Sequence, residues 1–133
     1  MNKRNTIQKK IVLETLREMG NHPTAEMVYT RINEKYPSMS RATVFRDLKS
    51  LAEDGTILHV PMFDSADRFD HTNTEHYHFK CIKCNNVFDV NIPYFDDIED
   101  KITDMDDFLI KSHSIVFSGL CPECLKEDKS CQN

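Results

Sequence analysis

The chain contains no apolar run approaching the roughly 18 residues that a membrane-spanning helix requires. Nor does Met1-Asn2-Lys3-Arg4 lead into the hydrophobic stretch of a secretion signal. Both absences point to a soluble, cytoplasmic protein with no membrane contact. Internal repeats are missing, and the only biased segment is the Asp-rich run 96–107. No cofactor-binding motif appears either, which argues against an enzyme. An excess of positive charge is also lacking: 17 Lys and Arg face 22 Asp and Glu, for a net charge of −5. Evenly spread, that balance would disfavour nucleic acid, but it is not even. Residues 1–59 carry ten basic against seven acidic side chains, and residues 60–133 carry seven against fifteen. The pattern is that of a basic binding lobe joined to an acidic regulatory one.

What the chain does have is cysteine in pairs. Cys81-Ile82-Lys83-Cys84 and Cys121-Pro122-Glu123-Cys124 each show the two-residue spacing at which neighbouring thiolates grip one tetrahedral ion. Disulfides need an oxidising compartment, for which the sequence offers no signal. A thioredoxin-like dithiol would sit in a βαβ pattern and would not occur twice. The pairs therefore read as one structural Zn²⁺ site, a staple suited to a lobe too small to bury much core. Cys131 lies in the polar tail 126–133 with no partner pair and reads as a bystander.

Hydrophobic periodicity gives an α+β organisation. Val12, Leu16 and Met19 recur on one helical face that Gly20 ends. Thr24 caps a second helix whose buried side is Val28, Ile32 and Tyr36, stopped by Pro37. Ser40 caps a third, with Val44, Leu48 and Leu51 inward. Thr56–Val60 and the segment through Phe69 read as a hairpin, which makes residues 1–69 a winged helix-turn-helix. Beyond it, residues 70–133 form a second α/β domain, with strands over Tyr77–Cys81 and Val87–Ile92. An acidic helix over Phe95–Met105 follows, and one or two strands within Phe108–Ser118.

In a helix-turn-helix the second helix of the motif enters the major groove by its N-terminal turns. Here that helix offers Ser40, Arg41, Thr43, Phe45 and Arg46. The arginines suit guanine edges or phosphate, the hydroxyls phosphate, and Phe45 thymine methyls. Lys49, Lys9 and Lys10 suit phosphates. The expected partner is double-stranded operator DNA. A second cluster is nitrogen and oxygen chemistry: His76 and His78 alternate on a strand and so share a face, and Asp89 lies on the next strand. Asp70 sits at the domain boundary and His22 between the first two helices. Imidazole and carboxylate together suit iron, manganese or zinc. Two histidines and a carboxylate also fit a non-haem iron oxygenase, but that enzyme would leave the basic winged helix unexplained.

These motifs together resemble the ferric uptake regulator family, over about residues 6–124. The resemblance is carried by His22-Pro23-Thr24-Ala25, Ala42-Thr43-Val44-Phe45, Arg68-Phe69-Asp70, His76-Tyr77-His78 and both cysteine pairs. It implies an N-terminal winged helix, a C-terminal α/β dimerisation domain with the four-cysteine zinc, and a homodimer on a palindromic operator. It also implies a regulatory Fe²⁺ or Mn²⁺ held by His22, Asp70, His76, His78 and Asp89. Asp rather than Glu at position 89 is similar to the peroxide-sensing branch. That branch implies iron-catalysed oxidation of His22 and His76, whereas an iron- or zinc-uptake regulator would use the same residues to report metal level. A further metal site of some members maps to Glu75, Tyr77, Asp96 and His113, where Tyr77 replaces a usual carboxylate and a weak or absent site is expected. Two departures from the pattern are Phe45, where members usually have Tyr, and the lack of an additional N-terminal helix.

Overall fold

A computed structural model describes residues 3–63 and 65–129; Cys131 lies outside them. The chain divides into two compact units after Thr74. The sequence reading sets the boundary after Phe69, within residues 68–74, and residues 70–74 fall here with the first unit for a local reason. Asp70 ends a strand that pairs with Leu58, so its backbone is hydrogen-bonded into the first unit.

The first unit opens with three helices, α1 (Lys3–Met19), α2 (Ala25–Lys35) and α3 (Arg41–Glu53). Each expected cap is present. The Thr24 side chain accepts the Met27 N–H at 3.2 Å and Ser40 Oγ accepts the Thr43 N–H at 3.1 Å, satisfying amides that a helix start leaves open. Gly20, at φ +56°, takes the left-handed turn that ends α1. The three apolar stripes meet in one core of Val12, Leu16, Val28, Ile32, Met39, Val44, Leu48, Leu51 and Ile57. Tyr36 does not join it: it is exposed and serves as the C-terminal cap residue of α2. Strands β1 (Leu58–Val60) and β2 (Arg68–Asp70) then pair antiparallel as the wing. The unit is a winged helix-turn-helix.

The second unit is a three-stranded sheet of order β4-β3-β5, formed by β3 (Tyr77–Cys81), β4 (Val87–Val90) and β5 (Val116–Gly119). β3 pairs antiparallel with β4 and parallel with β5. Gly119 lets β5 pass close to Phe79, since a Cβ there would sit 3.2 Å from that ring and press it aside by a few tenths of an ångström. Between β4 and β5 the expected acidic helix over 95–105 is absent; only a 3₁₀ turn, Ile98–Lys101, forms. Asp is a poor helix former, and Asp96/Asp100 and Asp100/Asp104 would stack like charges four residues apart. Only the end of the 108–118 stretch is strand. Conversely, the segment after Cys121 forms a helix that the sequence reading missed, α4 (Pro122–Lys129), with Pro at the first helical position, where a missing N–H costs nothing.

Candidate metal centres and nucleic-acid face

The cysteine site is assembled by the sheet. Cys81, fully buried, ends β3, and the chain then reverses through Asn85, at φ +65°, whose N–H bonds the Cys81 carbonyl at 3.0 Å. That turn swings Cys84 back beside Cys81. β5 delivers the second pair: the Ile82 N–H donates to the Gly119 carbonyl at 2.8 Å, and the first turn of α4 brings Cys124 round next to Cys121. The four Sγ atoms all lie within 4.8 Å of one another, with Cys84 and Cys121 at 3.8 Å, and all four residues are free cysteines. Backbone N–H groups of Cys84 and Cys121 reach Cys81 Sγ, each at 3.5 Å, and lower its pKa to about 6. Burial, with the neighbouring sulfurs, raises that of Cys124 to about 12. Four thiols this close cannot all ionise without a cation among them. A closed sulfur tetrad is the donor set of structural zinc, and the residues fit it.

Within the first unit the structure pairs His22 with Asp70, Nε2 to Oδ2 at 3.1 Å, both side chains buried. His22 stands at φ +53° after Asn21 at +50°. Its carbonyl accepts from the Arg68 guanidinium at 3.1 Å, and the Phe69 N–H donates to the Pro23 carbonyl at 2.9 Å. Asp70 Oδ1 accepts both the backbone N–H and the hydroxyl of Thr72 at 3.0 Å, which leaves Oδ2 facing His22. Within the second unit, the register of β3 on β4 sets His78 opposite Asp89. His76 and His78 share a face with ring centroids 4.3 Å apart. Asp89 Oδ1 lies 2.7 Å from His76 Nε2 and 3.8 Å from His78 Nε2. Both groups combine imidazole with carboxylate, the donors of Fe²⁺ and Mn²⁺ sites.

Two of the four residues matching a further metal site, Tyr77 and His113, are otherwise engaged. Tyr77, fully buried, hydrogen-bonds His113 Nε2 at 2.7 Å and accepts the Phe95 N–H at 3.0 Å. His113 Nδ1 lies 2.5 Å from Glu99 Oε1, and Tyr94 stacks on the imidazole with centroids 4.7 Å apart. In the tautomer with hydrogen on Nδ1 every group in this chain of bonds has a partner, so His113 has no nitrogen to spare. None of the metal-capable clusters among the described residues includes Glu75, Asp96 or His113. Glu99 was missed from the sequence. The His113 hydrogen bond holds its carboxyl below the usual range.

On α3, Arg41, Arg46 and Lys49 are exposed and Thr43 and Phe45 half-buried. Arg41 lies over the Phe45 ring at 4.2 Å and pairs with Glu26 at 2.7 Å. Ser40 and Thr43 hydroxyls bond each other at 2.9 Å. The face mixes cations, hydroxyls and one aromatic, the set that DNA recognition uses.

Comparison with known proteins follows the same lines. The profile of the ferric uptake regulator family matches residues 1–118. The peroxide operon regulator of Bacillus subtilis is 33% identical over 123 residues, which are 92% of this chain and 85% of that protein. The peroxide-responsive repressor PerR of Staphylococcus epidermidis is 32% identical over 122 residues, 92% of this chain and 81% of that one. Among solved structures, the peroxide stress regulator of Campylobacter jejuni superposes with a TM-score of 0.66 at 26% identity, over 91% of each chain.

Proposed function

The chain belongs to the ferric uptake regulator family, and from that premise we propose that it is a metal-dependent transcriptional repressor that senses peroxide. In this reading the first unit is the DNA-binding domain, with Ser40, Arg41, Thr43, Phe45, Arg46 and Lys49 at the operator. The second is a dimerisation domain held together by Zn²⁺ on Cys81, Cys84, Cys121 and Cys124. A homodimer presents two recognition helices to a palindromic operator with half-sites one helical turn or a multiple apart. The protein acts in the cytoplasm, where that DNA lies, and is a regulator rather than an enzyme. No helix among the described residues is long and apolar enough to cross a membrane.

The observation that carries the sensing role is the clustering of His76, His78 and Asp89 on adjacent strands, with a matching His22–Asp70 pair in the first unit. We assign all five residues to one regulatory Fe²⁺ or Mn²⁺. Asp70 and Asp89 contribute the negative charge that favours a divalent cation, and the imidazoles favour a transition metal over Mg²⁺ or Ca²⁺. Residues from both units hold the same ion, so loading it fixes one arrangement of the two. Moving that arrangement from 1% to 99% of the population needs about 5.5 kcal/mol of differential binding, modest for five ligands. Bound Fe²⁺ supplies one-electron chemistry with peroxide that Mn²⁺ does not. His22 and His76, which would hold the ion, are the side chains that peroxide would oxidise, with the added oxygen atom supplied by the peroxide, and that change would weaken their hold on it.

Electrophoretic binding to operator DNA tests the reading with Fe²⁺ and with Mn²⁺, each before and after peroxide. The Fe²⁺ form is expected to release DNA, with an added oxygen atom on His22 or His76. The Mn²⁺ form should keep its DNA. Equal behaviour of the two would instead make the protein a reporter of metal level.

A further inference from the structure

Helix α3 carries a buried carboxylate that metal sensing does not use. Asp47 is 4% exposed, and its Oδ2 has no hydrogen-bond partner among the described residues. Its helix neighbours Val44, Leu48 and Leu51 are core residues, so a carboxylate in this stripe is costly unless its charge is used. A cavity of about 190 Å³ opens beside it, lined by Asn5 and Lys9 of α1 and by Arg46, Asp47 and Ser50 of α3. Lys9 is fixed at that wall, its Nζ donating to Ser50 Oγ at 2.7 Å. Arg46, beside Asp47 in sequence, is exposed. The cavity thus combines two cations, an amide and a hydroxyl around one buried acid. Burial pushes the Asp47 pKa above its ordinary 3.8, while the charges of Arg46 and Lys9 pull it back.

We propose that this cavity seats a backbone phosphate of bound DNA on Lys9 and Arg46, and that Asp47 takes up one proton from solvent as the phosphate arrives. The inference rests on the DNA-binding reading above. Its chemistry is competition for the same cations. In the free protein Lys9, from α1, and Arg46, from α3, are the charged groups lining the cavity, and their field favours the ionised form of Asp47 against the effect of its burial. A phosphate neutralises that field and adds a like charge nearby, so the neutral carboxylic acid becomes the favoured form. Its pKa in the complex then exceeds its pKa in the free protein. Between those two values binding consumes a proton, and affinity rises as pH falls. Above and below that window the Asp47 contribution is flat. The window lies above 3.8, the ordinary value.

The test is fluorescence anisotropy with the Mn²⁺-loaded protein and a short random-sequence duplex across a pH series, comparing wild type with Asp47→Asn. Asparagine keeps the shape and removes the charge. In mildly alkaline buffer the variant should bind on the order of fivefold tighter, since one negative charge near phosphate is gone. Its pH slope should be shallower than that of wild type through the window. A ¹³C titration of the Asp47 carboxyl in wild type, with and without duplex, gives a second readout that needs no variant. Its midpoint should move up on binding. Lys9→Met should weaken binding to all sequences and lower the salt slope by about one. An Asp47 midpoint indifferent to DNA, or an Asp47→Asn protein with wild-type affinity and slope, would overturn the proposal. Failure of wild type to bind this duplex at any pH would also overturn the proposal, while the operator assay above tests the DNA-binding reading separately.

Discussion

Replacing Tyr77 with Phe removes one oxygen atom from the middle of the second unit, and its consequence can be worked out bond by bond. The ring is fully buried and packs against Tyr94 and Phe95, with centroids 5.3 and 5.7 Å away; Phe keeps those contacts. Two hydrogen bonds are lost, the one to His113 Nε2 at 2.7 Å and the one from the Phe95 N–H at 3.0 Å. Each contributes about 1 kcal/mol net, and a donor left buried and unpaired costs about 1–3 kcal/mol. His113 is 15% exposed and recovers part of its loss from water. The sum is a destabilisation of about 2–3 kcal/mol. For a unit of this size that lowers the melting temperature by about 10–20 °C. The assay is thermal unfolding of zinc-saturated protein followed by circular dichroism, Tyr77→Phe against wild type. A shift of under about 2 °C would show that the Tyr77–His113–Glu99 chain of bonds does not hold the 95–113 segment to the sheet.

Cys81→Ser or Cys121→Ser should release the structural zinc and unfold the second unit, since a closed thiolate site supplies much of the folding energy of a small metal-stapled domain. Zinc analysis and analytical ultracentrifugation check it, and a stable zinc-free dimer would contradict the four-cysteine assignment. Asp89→Glu lengthens one arm of the proposed regulatory site; it should still bind Fe²⁺ and DNA but release DNA far more slowly under peroxide, measured by gel shift. Glu99 is held below its ordinary 4.5 by the hydrogen bond from His113. Its stabilisation is therefore complete above about pH 4.5 and is lost as pH falls through the lower folded value, and Glu99→Gln should flatten that acid limb in pH-dependent melts.

Fold and site were legible to different depths for a physical reason: spacing in sequence reports only what a regular element or a short turn converts into proximity. The buried stripes of α1 and α3 recur every three to four residues, and both N-caps sit next to their helices, so the first unit could be read almost completely. The cysteine pairs and His76-Tyr77-His78 obey the same rule, two residues apart across a turn or on alternate positions of a strand. Glu99 obeys no such rule. Its partner His113 lies 14 positions away across an irregular segment, and no period connects them. The 95–105 run misled because its apolar residues suit a helical face while Asp96, Asp100 and Asp104 would repel along the opposite one, and repulsion won. α4 was missed because a short polar helix has no stripe to detect. Its first turn closes with the Leu125 N–H bonded to the Cys121 carbonyl at 2.8 Å, which no sequence period announces.

The turn that carries His22 gives an independent argument that this residue is there to be used. Gly20, Asn21 and His22 follow one another at φ +56°, +50° and +53°. Gly tolerates that region freely and Asn moderately, but for a histidine it costs on the order of 1 kcal/mol or more. A chain that needed only to turn from α1 into α2 could do so at Gly20 alone. Here the left-handed path continues two residues further and is held by bonds from outside the turn: Arg68 to the His22 carbonyl, Phe69 to the Pro23 carbonyl, and Asp70 to the ring. Three consecutive residues of β2 thus keep a strained histidine in place. That arrangement fixes the imidazole against Asp70, which a ligand requires and a connecting turn does not. Replacing Arg68 should then loosen His22 without touching any proposed ligand, and metal affinity should fall while the helical core keeps its stability.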